Sequence, residues 1–243
     1  MTMTPASVDA SAGAGGLLWV SEIFGPTFQG EGPSAGQQAG FLRLSRCNLT
    51  CAWCDTPYTW DWRRFDLAEQ TLRLRADEAL ARLLAVPALL VVVTGGEPLL
   101  QQERLLPVVE GCRAAGRQVE VETNGTVMPG PPLLGAVTRF NVSPKLANSA
   151  VALERRIRPG VLRALAASGK AVFKFVVEGP GDLDRVAAIT AGLGLAPVWV
   201  MPQGETTEQV LTVMRAVADE VLARGWNLTG RLHVLLWEAA RGR

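Results

Sequence analysis

The chain has 243 residues, a formal net charge of +1 and 48% apolar residues. That length suffices for one domain of ordinary to large size with a substantial buried core. The near-neutral charge gives no overall electrostatic pull toward nucleic acid or a membrane surface, and no apolar run approaches the ~20 residues needed to span a bilayer. Residues 1–16 are rich in Thr, Ala, Ser and Gly, without a basic segment or a long apolar stretch. They are expected to be a disordered tail rather than a signal peptide, leaving 17–243 as a single domain.

In chain order, residues 17–24 form a first predicted strand. Residues 25–36 (G-P-T-F-Q-G-E-G-P-S-A-G) are too glycine-rich for a regular element. They fit either a turn-rich connection or a loop whose glycines let backbone approach a small planar ligand. Residues 40–44 (G-F-L-R-L) form a second strand, with Arg43 either a surface charge or a bidentate partner for a ligand carboxylate. Residues 57–65 hold Tyr58, Trp60 and Trp62, expected in the core rather than as a lid.

Residues 75–84 have the apolar spacing of a helix. The run 89–93 (L-L-V-V-V) is that of a strand buried on both faces of a parallel sheet. Further strands are expected over 118–122, 139–142, 171–177 and 197–201, and helices over 105–115, 160–167, 182–191 and 205–224. A last strand is expected over 232–237 (L-H-V-L-L-W), making the lone histidine, His233, a core residue, with a ligand contact as the alternative. Cys112 lies in a predicted helix as inert packing. Strand–helix alternation implies parallel β/α units, too few for a complete eight-fold barrel. The expected α/β fold is therefore a partial or modified parallel β/α barrel.

The chemistry concentrates in S-R-C-N-L-T-C-A-W-C-D-T-P-Y, residues 45–58, which places Cys47, Cys51 and Cys54 within eight residues. Such spacing would also put three cysteines on one helical face, but Asn48, Thr50, Asp55, Thr56 and Pro57 are poor helix-interior residues. A loop of thiolates converging on a soft metal centre fits better. Three ligands leave one coordination position open, where a structural zinc site wants four. The tight cluster also argues for a reducing, cytoplasmic setting. Other unusual groups fall at expected carboxyl ends of strands, where parallel β/α folds bind ligands: T-G-G-E-P at 94–98, E-T-N-G at 122–125, S-P-K at 143–145 and M-P-Q-G at 201–204.

The C-x3-C-x-aromatic-C pattern, with Trp53 as the aromatic, resembles the signature of the radical S-adenosylmethionine (SAM) enzymes. The resemblance implies a truncated β/α barrel in which Cys47, Cys51 and Cys54 hold three irons of a [4Fe–4S] cluster. SAM occupies the fourth iron and yields a 5′-deoxyadenosyl radical. It further implies that Trp53, Cys54 and Asp55 border SAM, and that Gly95, Gly96 and Glu97 form the stretch packed on its methionine moiety. Ser143, Pro144 and Lys145 would reach its ribose or carboxylate, and Met201, Pro202, Gln203 and Gly204 would flank its adenine.

The F-Q-G-E-G loop (28–32), Arg43 in F-L-R and C-D-T (54–56) together resemble the 7-carboxy-7-deazaguanine synthase family. That family is a group of carbon–nitrogen lyases acting on 6-carboxy-5,6,7,8-tetrahydropterin in 7-deazapurine, queuosine-type biosynthesis. The resemblance implies Mg²⁺ at Thr56, Arg43 on the substrate carboxylate, and Phe28, Gln29, Gly30, Glu31 and Thr94 around the pterin. It also implies a cytoplasmic homodimer served by an electron donor such as flavodoxin or ferredoxin, with no nucleic acid or membrane partner. Two rivals share part of the pattern: a glycyl-radical activase, and a non-catalytic zinc module using Cys112 or His233 as fourth ligand.

Overall fold

The computed structural model describes residues 16–238 and 240–242. The tail expected over 1–16 lies, apart from Gly16, outside them.

β1 (Leu18–Phe28) pairs antiparallel with β2 (Gln38–Leu44). The short α1 (Leu67–Gln70) leads into β3 (Leu72–Leu74), which pairs antiparallel with the other edge of β1. Alternation then takes over: α2 (Ala76–Ala85), β4 (Leu90–Gly95), α3 (Gln102–Ala114), β5 (Gln118–Thr123), α4 (Pro131–Ala136), β6 (Arg139–Val142), α5 (Leu153–Arg156), α6 (Pro159–Ala167), β7 (Ala171–Val177), α7 (Leu183–Leu193), β8 (Val198–Pro202), α8 (Thr207–Ala223), β9 (Asn227–Leu228) and α9 (Leu232–Trp237). The nine-stranded sheet runs β3-β1-β2-β4-β5-β6-β7-β8-β9, with every pairing from β2 to β9 parallel. Its two edges do not meet, so the barrel is partial.

Side chains alternate across a strand, and here the alternation separates core from site. Leu42 and Leu44 of β2, Val91 and Val93 of β4, Val119 and Val121 of β5, Phe140 and Val142 of β6, and Phe173, Phe175 and Val177 of β7 all enter one main core. The intervening residues point to the opposite face. Ala39, Phe41, Leu90 and Val92 close that face with a small apolar cluster backed by Phe24. Beyond it the same strands present Arg43, Thr94, Glu122, Asn141 and Lys174 to a cavity.

Two sequence expectations are corrected. Residues 25–36 are not wholly irregular: β1 runs on to Phe28, with a register shift between Phe24 and Thr27 where Gly25 takes φ +131°. Glycine tolerates that dihedral, so the strand bends instead of ending. Residues 232–237 form α9, not a strand, and the last strand is Asn227–Leu228. A six-residue segment with five apolar residues suits either element, and the place beside β8 is taken by β9.

Phe175 is fully buried. Phe175→Ala is expected to cost about 3–5 kcal/mol in chemical denaturation. Leu89, at 74% exposure, precedes β4, and Leu89→Ala is expected to stay within about 0.5 kcal/mol of the parent.

Candidate active site

The cysteine loop leaves β2 directly and is fastened from several sides. Glu97 N–H donates to Arg46 O at 2.8 Å, Asn124 Nδ2 to Asn48 Oδ1 at 3.0 Å, and Ala52 N–H to Ser149 O at 3.0 Å. Two glycines set how closely the β4 loop approaches. A Cβ on Gly95, which has φ +135°, would lie 2.0 Å from Leu44 O, and one on Gly96 would lie 2.0 Å from Arg46 O. The buried Glu97 carboxylate accepts from Leu99 N–H (3.0 Å), Asn124 N–H (2.8 Å) and Thr123 Oγ1 (2.8 Å), which locks the β4 loop to the β5 loop. Burial raises its pKa above the usual carboxylate range.

All three loop cysteines are free thiols. Leu49 N–H donates to Cys47 Sγ (3.4 Å) and Trp60 Nε1–H to Cys54 Sγ (3.3 Å). Burial pushes the Cys47 thiol up to about 12 and raises Cys51 as well, so binding a soft metal must displace these protons. The donor set, three thiols with N–H groups aimed at sulfur, fits an iron–sulfur cluster whose fourth iron takes a non-protein ligand. The zinc alternative lacks its fourth ligand. Cys112 packs in the main core, away from the small cluster of Leu49, Cys51 and Val151, and His233 faces Glu31.

A cavity of about 280 Å³ opens beside the cysteines. Phe28, Gln29, Gly30, Glu31, Arg43, Trp53, Asp55, Thr56, Thr94, Gly95, Gly96, Ser143, Lys145 and Met201 line it together with Cys47, Cys51 and Cys54. Glu97, Pro144, Pro202, Gln203 and Gly204 do not. Tyr58 and Trp60 line it too and Trp62 is exposed, so the aromatic patch is not core as expected. Phe28, half-exposed at the mouth, stacks on Trp237 of α9.

One end of the cavity is cationic. Arg43 Nε donates to Glu22 Oε1 at 2.6 Å, and Tyr58 OH donates to the same oxygen at 3.0 Å. The two terminal nitrogens of Arg43 have no hydrogen-bond partner among the described residues. Beside the cysteines, Lys145 Nζ donates to Ser143 Oγ at 3.0 Å and lies 5.3 Å from the Trp53 ring centroid, while Trp53 Nε1–H donates to Asn148 Oδ1 at 3.2 Å. Thr56 Oγ1 sits 3.7 Å from Cys54 Sγ.

The centre is a charge network. Glu122 accepts from Gln29 Nε2 (3.0 Å) and Thr94 Oγ1 (2.9 Å). Asn141 donates to Glu120, and its Oδ1 is buried without a hydrogen-bond partner among the described residues. Lys174 Nζ donates to Glu31 and lies 3.8 Å from Glu122. Arg231 donates to Glu31 Oε1 (3.3 Å), to Gly204 O (2.6 Å) and to Asp55. Burial alone would raise the Glu31 pKa; Lys174, Arg231 and His233 outweigh it and hold the carboxyl well below the usual range. Ligating atoms of Glu31, Asp55 and His233 lie within 4.8 Å of one another, but both carboxylates already pair with Lys174 or Arg231.

His233 corrects a further expectation. It sits on a helix and lines the cavity with 25% of its side chain exposed, and burial lowers its pKa. A Cβ on Gly30 would lie 2.0 Å from its Nδ1, so only glycine fits beneath the ring.

Sequence reasoning passed over Asn141, Lys174 and Arg231, and reached Glu122 only as part of the E-T-N-G group at the end of β5. For Lys174 a signal existed, a lone charge in an otherwise apolar strand, whereas Glu122 and Asn141 share short strands with other polar residues. Arg231 had none, since its partners lie 27, 176 and 200 residues away.

Lys174→Met leaves Glu31 buried with one strong cation fewer, and is expected to cost about 3–5 kcal/mol at pH 7 by urea denaturation. Because the folded-state pKa of Glu31 is depressed, its contribution is complete above about pH 4.3 and lost as pH falls below that value. The gap between parent and variant is therefore expected to narrow in acid.

Comparisons with known proteins agree with this geometry. The Radical SAM superfamily profile matches residues 42–166. The 7-carboxy-7-deazaguanine synthase of Pyrobaculum aerophilum is 37% identical, covering 92% of this chain and 96% of its own. That of Halobacterium salinarum is 32% identical, with 95% of each covered. The crystal structure of QueE from Escherichia coli superimposes with TM-score 0.67 at 26% identity, covering 89% of this chain and 95% of that one. A three-thiol loop at the rim of an open β/α barrel, and relatives of this identity over nearly the whole length, lead to one conclusion: the chain belongs to the 7-carboxy-7-deazaguanine synthase family of the radical SAM superfamily.

Proposed function

We propose that this chain is a radical SAM lyase that converts 6-carboxy-5,6,7,8-tetrahydropterin to 7-carboxy-7-deazaguanine and ammonia, in 7-deazapurine biosynthesis of the queuosine type. Its cofactors are a [4Fe–4S] cluster, SAM and Mg²⁺. The observation that carries the reading is the meeting, in one cavity, of the three-cysteine loop with a cationic end at Arg43 and a donor–acceptor wall of Gln29, Glu31 and Glu122. When bound, the cluster and SAM supply the 5′-deoxyadenosyl radical that abstracts hydrogen from C6 of the pterin, opening the ring contraction.

The protein's own residues bind, orient and exclude water. Cys47, Cys51 and Cys54 hold the cluster. Trp53, Asp55, Gly95, Gly96, Ser143, Lys145 and Met201 border SAM, with Glu97, Pro144, Pro202, Gln203 and Gly204 shaping that wall from behind. Arg43 offers its terminal nitrogens to the substrate carboxylate as a planar fork. Gln29, Glu122 and Asn141 meet the pterin edge, and Phe28, Gly30 and Thr94 complete its enclosure. The Thr56 hydroxyl serves Mg²⁺, a cation that takes few protein oxygens and keeps the rest of its shell from water and substrate. Residues 17–243 act as one radical SAM domain. The protein is a cytoplasmic homodimer reduced by flavodoxin or ferredoxin. No described helix is long and apolar enough to cross a membrane. A glycyl-radical activase would need a docking face for a protein partner, whereas the Arg43 cavity is built for a small carboxylate.

The test is anaerobic turnover of the reconstituted protein with SAM, reductant, Mg²⁺ and carboxytetrahydropterin, followed by mass spectrometry. Carboxydeazaguanine is expected, with SAM largely unconsumed. Deoxyadenosine without carboxydeazaguanine would discard this substrate. Arg43→Ala is expected to lower kcat/KM for the pterin about 10- to 100-fold, the loss of a charged hydrogen-bonding pair, with SAM affinity unchanged.

A further inference from the structure

The C-terminal turn grips the substrate loop from one side. Leu232 N–H donates to Gly30 O at 2.8 Å, and Gly32 N–H donates to Thr229 Oγ1 at 2.9 Å. Between these two contacts stands Arg231, with 7% of its side chain exposed. Its guanidinium reaches three different segments. Nε meets Glu31 in the loop after β1, Nη1 meets Gly204 O after β8, and Nη2 meets Asp55 just beyond the last cysteine. Glu31 belongs to the substrate side of the cavity, whereas Gly204 and Asp55 belong to the cofactor side. A guanidinium is planar and rigid, so donors on all three nitrogens fix the relative placement of their acceptors.

We propose that Arg231 is a positioning residue that couples the two halves of the cavity, setting the distance between the bound pterin and the bound SAM. This rests on the reading of the cavity as shared by those two ligands. Hydrogen abstraction demands reacting atoms about 3–3.5 Å apart, and a misplacement of ~1 Å costs ~100-fold in rate. A coupling residue therefore acts on the partition of the reaction. When the ligands are misplaced, SAM, two electrons from the reductant and one proton give methionine and 5′-deoxyadenosine, and the pterin is left unchanged.

Arg231→Lys keeps the charge beside Glu31 but cannot span three acceptors. Two readouts are taken on the reconstituted protein. In the unreduced state, calorimetric titration is expected to find SAM affinity within about threefold of the parent, while the tightening of pterin binding by SAM falls about tenfold. After reduction with dithionite, carboxydeazaguanine formation is expected to fall about 100-fold, with deoxyadenosine accumulating in molar excess over product. An unchanged ratio of deoxyadenosine to product, or a loss of SAM affinity as large as the loss of product, would overturn the coupling role. Should Arg231→Lys not fold, Asp55→Asn decides by the same ratio, since Asp55 is 51% exposed and its substitution removes one arm only. A parent protein that makes no carboxydeazaguanine refutes the functional reading itself, and so is distinguished from a failure confined to the variants.

Discussion

An ammonium group in the middle of a strand whose seven residues are all buried must be neutralised, and the layout of the site follows from how Lys174 achieves this. Burial alone would lower its pKa; Glu31 and Glu122 outweigh burial and raise it, so the charge is kept. The two carboxylates come from opposite directions. Glu122 is presented by β5 of the same sheet, whereas Glu31 arrives from a loop 143 residues earlier in the chain. Glu31 in turn attracts Arg231, and Arg231 binds Asp55. Each buried charge makes the next one necessary, and the chain of pairs ends at the partly exposed Asp55. A loop that sequence composition leaves undirected is thereby pinned over the open face of the barrel.

The alternation of the strands is what makes such a network affordable. Leu42, Leu44, Val91, Val93, Val119, Val121, Phe140, Val142, Phe173, Phe175 and Val177, on the core-facing side of β2, β4, β5, β6 and β7, enter one continuous core. The cavity-facing positions are then free to be polar without opening that core. At the amino ends of β2 and β4 the cavity face is itself apolar, through Ala39, Phe41, Leu90 and Val92, so water is excluded from below and the polar groups collect toward the carboxyl ends. Ligand sites in parallel β/α folds lie at those ends for the same topological reason.

Much of this was legible in the sequence. The cysteine loop, the strand–helix alternation and the groups at strand ends are local patterns, and local patterns survive in a one-dimensional reading. Polar residues at alternate positions of β5, β6 and β7 were also visible, but an apolar run marks a buried strand more strongly than one lysine marks a site, so Lys174 passed as part of the sheet. Helix α9 reads as a strand in sequence because five apolar residues in six carry no decisive period. With it went His233, whose place beside Gly30 depends on the helix turning the ring inward. Arg231 could not be found at all: its meaning lies in acceptors 27 to 200 residues distant, which only the folded chain brings together.

The two sides of the cavity are held by different physics. On the cysteine side, contact is steric and short-ranged: Gly95 and Gly96 press backbone on backbone, and Glu97 fills the gap behind with three accepted hydrogen bonds. Packed backbone of this kind has no alternative arrangement close in energy, which suits a loop that must hold a cluster at fixed geometry. On the C-terminal side, the contacts are charges on long side chains. Arg231 meets Asp55 and Glu31, while Arg241 stacks on Tyr58 at 4.0 Å and reaches Glu22, the same carboxylate that holds Arg43. These ion pairs join segments far apart in sequence without passing through the apolar core. Arg43 is desolvated by burial and aimed by Glu22 through Nε alone, with its two terminal nitrogens unpaired among the described residues. The cysteine side is thus held by packed backbone, and the C-terminal side by a chain of ion pairs between segments distant in sequence.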